Sequence, residues 1–574
     1  MKQTLLMALL GGLSLTALSA APGPQPTNQP ALQSQHHPVQ IQVDAQAQKG
    51  PLTPIWAWFG YDEPNYTTMK DGKKLLSDIA ALSPVPVYVR VHNLMNTGDG
   101  TAALKWGSTN MYTEDKDGKP IYNWTIVDQI FDAYVERGMK PIAQIGFMPE
   151  ALSAKPQPYQ HSWAPGKPYQ EIMTGWAYPP KDYDKWADLI SAWVSHSVER
   201  YGRAEVESWY WELWNEPDGF YLIAPDVQKE FFKMYDYAYF AVKRALPTAR
   251  MGGPHTARGG EFFRNFIEHC LRGTNHVTGK VGTPLDFIAF HAKGAPALVN
   301  GRVQMGMNTH FKNISDGFAA VAEHPELKNI PIIIGESDPE GCAACGMKTN
   351  PENAYRNGTL YASYTAASIA RKYDLAEEFG VNLLGAVNWS FEFEDQPWFE
   401  GYRDLATNGV NKPVLNVFKM LGMMRGNRLA VSGDLAYNAQ SIRASGVRGA
   451  KTDINALAAA DKSSISVMVW NYHDDDVINE GAPVELKITG VAASSVRLSH
   501  YRIDQEHSNS YSAWKQMGSP QQPSASQIAK LHAASELAQL SPAQTLAVKG
   551  GVVTVNMQLP RQGISLIQLT ELKR

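Results

Sequence analysis

Trp209-Tyr210-Trp211-Glu212-Leu213-Trp214-Asn215-Glu216-Pro217-Asp218 is the stretch on which the reading of this chain turns. Aromatic and apolar residues crowd positions 209–214, as in a strand, and Pro217 cannot continue a ladder. The Asn215-Glu216 pair therefore stands where a strand ends. Proline pushes the residue before it out of the helical region, so Glu216 is expected to be extended. A carboxyl group held among indole rings is poorly hydrated. Desolvation raises its pKa, which is what a general acid needs at neutral pH. A lone glutamate is more often a cap or a surface group; here the length of the pattern and its neighbours favour chemistry.

Strand and helix alternate on both sides of this stretch. Apolar runs at 55–59, 85–91, 141–146, 250–253, 285–291, 330–335 and 382–389, with the opening one, make eight strands. Between them lie amphipathic helices, among them 128–137, 185–201 and 227–246. The first carries Ile130, Phe131, Tyr134 and Val135 on one face, and Gly138 and Gly202 follow the first two as C-terminal caps. Eight strands separated by helices predict an α/β fold, a (β/α)8 TIM barrel over residues 51–428. In that fold the strand ends share one mouth, so His92, Glu216, His291, Glu336 and Trp389 are expected to converge. From 429 to 574 the runs become short and alternating (465–469, 483–488, 496–502, 551–557), which predicts a β-sandwich accessory domain. The alternating strand at 39–50 is expected to join it. Residues 515–544 are rich in Ser, Ala and Gln and read as a long loop with one helix.

The formal net charge of -4 argues against bulk-charge binding of nucleic acid. Residues 1–21, with Lys2, an apolar run from Leu5 and small residues up to Ala21, read as a signal peptide, and 22–38 as a disordered linker. The expected location is secreted or periplasmic, with no membrane span. Three cysteines cannot make a disulfide scaffold. Cys342 and Cys345 could close a tight disulfide in an oxidising compartment. A redox or adhesion role for them lacks the strand-to-helix context of a redox motif. Cys270 falls on a helical apolar pattern and reads as an inert buried thiol. No metal-ligand spacing and no phosphate-binding glycine loop appears, so neither metal nor cofactor is expected.

Glu336 follows Ile332-Ile333-Ile334-Gly335 and ends strand seven, across the mouth from Glu216 on strand four. Two carboxyl groups flanking one bond are what glycoside hydrolysis requires: one protonates the leaving oxygen, the other attacks the anomeric carbon or activates water. A carbohydrate is therefore the expected partner; oligomeric state is not legible.

The set Gly146-Phe147-Met148-Pro149, Trp214-Asn215-Glu216-Pro217, Met251-Gly252-Gly253-Pro254, 269–275 (HCLRGTN), 286–295 (DFIAFHAKGA) and Glu336-Ser337-Asp338-Pro339, in this order over 56–423, resembles the retaining glycoside hydrolases of clan A. More closely it resembles family 39, the β-xylosidases and α-L-iduronidases. The resemblance implies that Glu216 is the acid/base and Glu336 the nucleophile, that Asn215 bonds the sugar 2-OH, and that His92 bonds a ring hydroxyl. Many members carry His-x-Tyr at the end of strand six, where this chain has His291-Ala292-Lys293. The iduronidase branch also carries Lys there, meeting the substrate carboxylate; Lys293 could do that or pair with Glu336. Arg403 is a second candidate for a carboxylate on C5. Against a uronide, Trp389 could stack on a sugar and crowd C5, and Glu392, Glu394 and Asp395 would repel an anion if they pointed inward. The reading is a retaining exo-acting β-D-xylosidase. The alternatives are an iduronidase-like enzyme acting on a uronide, α-L-arabinosidase side activity, or a non-catalytic carbohydrate-binding barrel.

Overall fold

The computed structural model describes residues 37–573, apart from 165–166, 168–172, 343 and 478–480. The expected signal peptide, and the expected linker up to residue 36, lie outside the described residues. Strand β1 (Val39–Pro51) precedes the barrel. The barrel strands are β2 (Trp58–Tyr61), β3 (Tyr88–Val91), β4 (Lys140–Ile145), β5 (Tyr210–Leu213), β6 (Arg250–Thr256), β7 (Phe287–His291), β8 (Ile332–Glu336), β9 (Leu383–Ala386) and β10 (Asn388–Trp389). They hydrogen-bond in parallel in the order β9-β8-β7-β6-β5-β4-β3-β2-β10. The last two are halves of the eighth predicted strand. β9 pairs with β8 and β10 pairs with β2, so the break at Val387 closes the ring. Gly60 on β2 is required by that closure: a Cβ there would stand 2.3 Å from the Trp389 ring.

Helices form the outer layer: α1 (Lys70–Leu82), α2 (Thr125–Val135), α3 (Tyr183–Tyr201), α4 (Val227–Ala245), α5 (Glu261–Arg272), α6 (Met307–Ala322), α7 (Thr359–Phe379) and α8 (Pro413–Met423). Their ends follow local chemistry. The Asp182 side chain accepts from the amides of Asp184 and Lys185 and starts α3; Gly202, at φ 86°, ends it. The inner face of α3 buries Trp186, Leu189, Ile190, Trp193 and Val194 against the strands. Inside the ring the centre is polar: Arg90, Gln144, Glu212 and His255 have no exposed surface.

The accessory unit is one mixed sheet, built from β1 with β11 (Asn427–Gly433), β12 (Asp453–Ala460), β13 (Ile465–Tyr472), β14 (Ala482–Thr489), β15 (Ser495–Ile503), β16 (Ala538–Gln539), β17 (Gln544–Ala547), β18 (Val553–Leu559) and β19 (Ile564–Lys573). Pairing runs unbroken as β16-β15-β19-β13-β12-β11-β1-β14-β18, with β17 on β15. β1 sits inside it, antiparallel to β11 and parallel to β14. Its alternate residues Val39, Ile41 and Val43 enter a core shared with Ile454, Val467, Leu486 and Val555. The Ser/Ala/Gln-rich segment 515–544 holds the one helix expected, and a second, short helix ends at its start. Ser510–Gln516 and Ala525–Ser535 place Trp514 and Leu531 against Trp398, Phe399 and Val410 of the barrel loops. Burying those apolar side chains orders a stretch whose composition alone reads as loop.

Barrel and sheet meet through a buried ion pair. Arg371 of α7 donates to Asp453 of β12 at 2.6 Å and to the carbonyl of Tyr437 at 2.9 Å. Trp470 Nε1 donates to the other Asp453 oxygen at 2.8 Å. Removing one partner strands a buried charge. Arg371→Ala should therefore lower unfolding stability by about 3–5 kcal/mol, seen as a reduced urea midpoint; an unchanged midpoint would mean the pair does not brace the two units.

Candidate active site

Four strand ends bring the site together. β3 carries Arg90 and leads into His92; β5 carries Glu212 and leads into Asn215 and Glu216; β7 ends at His291 and β8 at Glu336. Oxygens of Glu216 and Glu336 and a ring nitrogen of His291 all lie within 4.8 Å of one another. The two carboxyl groups, 120 residues apart in sequence, thus face each other at one wall of a cavity of about 480 Å³, lined also by Asp62, Lys105, Trp163, Lys293 and Arg403.

Glu216 is not extended. Its φ is 41° and that of Trp214 is 62°, both in the left-handed region. Two cross-strand bonds hold this path: Trp214 N donates to the carbonyl of Ile145 at 3.1 Å and Glu216 N to that of His255 at 2.9 Å. Tertiary hydrogen bonding overrides the local preference set by Pro217.

The surroundings of the two carboxyls differ. Burial, and then the nearby charge of Glu336, push Glu216 up to about 7. Burial also opposes ionisation of Glu336, but cations outweigh it and hold it well below the usual carboxylate range, Lys293 foremost. Lys293 Nζ stands 2.7 Å from Glu336 Oε2, and Arg90 Nη1 3.3 Å from Oε1. His291 bonds Glu216 through Nδ1 at 2.9 Å, and burial drives its ring neutral. Its neutral ring leaves Lys293 and Arg90 as the cations against the pair. Those cations already meet Glu336, so the cluster is arranged for holding protons and charge, although its three atoms are close enough to share an ion.

The remaining residues singled out in the sequence take different places. Asn215 is buried and its Oδ1 accepts from Arg90 Nη2 at 3.0 Å, which leaves the amide N–H groups as its donors. His92 is fully buried. Gln144 Nε2 donates to its Nδ1 at 2.5 Å, and its Nε2 lies 3.5 Å from Glu336 and 3.4 Å from Asp62. Lys293 also pairs with Asp338, and Arg403 Nη1 reaches that carboxylate at 3.1 Å. Arg403 borders the cavity while its Nε and Nη2, both buried, have no hydrogen-bond partner among the described residues. Trp389 is 1% exposed and packs beneath His92, ring centroids 4.5 Å apart, outside the cavity lining. Glu392 and Glu394 do not line the cavity either, and they accept from the amides of Gly409 and Asp71. Cys342 and Cys345 are joined in a disulfide on the cavity wall, and Cys270 is a buried free thiol.

Several members of the site escaped the sequence reading: Arg90, Glu212, His255, Asp62, Lys105 and Asp338. A charged residue inside an apolar strand is the signal that could have found the first two. Arg90 also shares a strand face with His92, two positions on.

A profile described as Glycosyl hydrolases family 39 matches residues 39–551. The chain is 26% identical over 504 residues to a beta-xylosidase of Geobacillus stearothermophilus, covering 85% of this chain and 86% of that protein. It is 26% identical over 578 residues to an alpha-L-iduronidase of Mus musculus, covering 93% and 81%. The solved structure of a monomeric beta-xylosidase from Caulobacter crescentus CB15 shares the fold, with a TM-score of 0.72 at 22% identity over 92% of this chain and 99% of that one. Because the match runs through the barrel and far into the accessory sheet, the chain belongs to glycosyl hydrolases family 39 and is a glycosyl hydrolase.

Proposed function

We propose that the chain is an exo-acting β-D-xylosidase in which Glu216 is the acid/base and Glu336 the nucleophile. The observation that carries the assignment is the approach of their oxygens to within 4.8 Å. So close an approach suits the separation of about 5–5.5 Å for double displacement better than the roughly 6.5–9.5 Å that leaves room for an inverting water.

Glu336, kept ionised by Lys293 and Arg90, attacks the anomeric carbon. Glu216 gives its proton to the departing glycosidic oxygen. A glycosyl ester on Glu336 forms, and with it the charge that held Glu216 up disappears. Glu216 therefore becomes the stronger acid while the ester exists, and its carboxylate can take a proton from the water that cleaves the ester. Water and glycoside are consumed, sugar and alcohol are released, and both carboxyls return to their starting forms. Asn215, its oxygen held by Arg90, offers amide donors to the sugar 2-OH, where a contact strengthens as charge develops.

The similarity to β-xylosidases supports a neutral pentose, as does the pairing of Lys293 and Arg403 with the protein's own carboxylates. A second reading has its own observation: the two unpartnered donors of Arg403 at the cavity wall suit a carboxylate on C5, hence a uronide. Comparing kcat/KM on nitrophenyl β-D-xyloside and on an α-L-iduronide separates them. The xyloside is expected to be the better substrate. Preference for the iduronide, lost in Arg403→Met, would move the assignment; no turnover of any glycoside would leave only carbohydrate binding.

On the preferred substrate, kcat/KM should fall above pH about 7 as Glu216 loses its proton. Glu216→Gln should lower kcat by about 10²–10⁴-fold for a poor leaving group and abolish that limb. Glu336→Ala should stop turnover; retained activity would place the nucleophile elsewhere. Lys293→Met removes the main charge holding Glu336 down, so its pKa rises. The acid limb of the pH profile should then move to higher pH, and an unmoved limb would dismiss Lys293 from that part.

A further inference from the structure

Away from the mouth, in the helical layer, three ligand-type side chains from separate segments converge on one point. Asp236 lies on α4, His269 on α5, and His276 on the loop between α5 and β7. His269 Nε2 stands 3.0 and 3.2 Å from the two Asp236 oxygens, and His276 Nδ1 stands 2.8 Å from Oδ2. One atom from each residue lies within 4.8 Å of the others.

Asp236 is fully buried, and among the described residues no lysine or arginine pairs with it; its ion-pair partners are the two histidines. A buried carboxylate with imidazoles alone beside it lacks a fixed positive charge, and such groups are ordinarily paired or bound to a metal. The outer groups are arranged as around a metal ligand. Thr283 Oγ1 donates to Asp236 Oδ1 and the amide of His276 to Oδ2 at 2.8 Å, which fixes the carboxylate. Asn275 donates to Thr283 at 2.6 Å and accepts from the amides of Val277 and Thr278, which holds the turn bearing His276. Phe232 stacks on the His269 ring at 4.7 Å. The His276 side chain is 39% exposed, so one side of the cluster opens to solvent. His269 and Asn275 belong to the HCLRGTN segment, which the carboxyl pair at the mouth does not use.

We infer that Asp236, His269 and His276 form a zinc-type site, binding one divalent transition-metal ion through two imidazole nitrogens and one carboxylate oxygen, with water in the open fourth position. Two nitrogens and one oxygen suit Zn²⁺ at about 2.0–2.2 Å, well inside the mutual reach of these atoms. On binding, each imidazole exchanges its hydrogen bond to Asp236 for a bond to the ion. Thr283 and the His276 amide keep theirs. The ion would tie α4 and α5 to the connection that leads into β7.

Full-length protein freed of metal with a chelator is titrated with ZnCl2, desalted and assayed for zinc, and its thermal midpoint is read with and without the ion. Wild type should retain one equivalent and gain a few degrees, and both effects should vanish in His276→Ala, whose mutated side chain is on the open side. Circular dichroism of the metal-free variant checks that it is folded. Cobalt should give tetrahedral absorption bands in wild type that His276→Ala lacks. Asp236→Asn should weaken retention at least tenfold. No zinc retained by wild type, or equal retention and an equal thermal shift in His276→Ala, overturns the site.

Discussion

Arg90, with no exposed surface, reaches three side chains from the middle of β3. Its Nε donates to both oxygens of Glu212 at 2.8 and 3.0 Å, Nη1 lies 3.3 Å from Glu336, and Nη2 donates to Asn215 at 3.0 Å. A guanidinium offers fixed donors in a plane and cannot lose its charge, so it can bind carboxylates from two strands at once and stay buried. Glu212 balances it. Despite its burial, Arg90 and then His255 hold Glu212 down to about 2, so it stays an anion. Around this ion pair the barrel centre is polar and fixed, and Asn215 and Glu336 are set against it.

The asymmetry between Glu216 and Glu336 follows from where the cations stand. Both are carboxyls in a poorly hydrated place, and burial alone would raise both. Lys293 and Arg90 lie against Glu336, whereas Glu216 has a neutral imidazole as its hydrogen-bond partner. One group is kept charged and the other kept protonated, and the charge of the first helps to hold the proton on the second. Environments that push two like groups apart are how acid and base roles are divided in one site.

The rest of the chain supports this centre. The split eighth strand closes the ring over Gly60, and the buried Trp389 under His92 fixes the floor. The disulfide between Cys342 and Cys345 lies on the cavity wall, where Arg356 donates to the carbonyl of each cysteine, at 3.0 and 3.3 Å. The accessory sheet is bound to the barrel by Arg371 and Asp453 and by β1, which enters the sheet before the chain begins the barrel.

The amino-acid order by itself determined the alternation of strand and helix, because burying one face of each element imposes a period that can be read along the chain. It placed Glu216 and Glu336 at strand ends, and showed β1 as an alternating strand, through Pro217, Gly335 and residues 39–44. Tertiary structure decided what depends on contacts between distant segments. The left-handed backbone at Glu216 comes from its amide bonding His255. The positions of Glu392 and Glu394 are held by amides elsewhere in the chain, those of Gly409 and Asp71. The docking of the helices at 510–516 and 525–535 comes from apolar contacts with the barrel loops. Arg90, Glu212 and the cluster of Asp236, His269 and His276 have no recognisable spacing, because their partners lie on different strands and helices. Local propensity acts over a few residues, whereas charge pairing and hydrogen-bond satisfaction act across space, and only the folded chain specifies which groups meet.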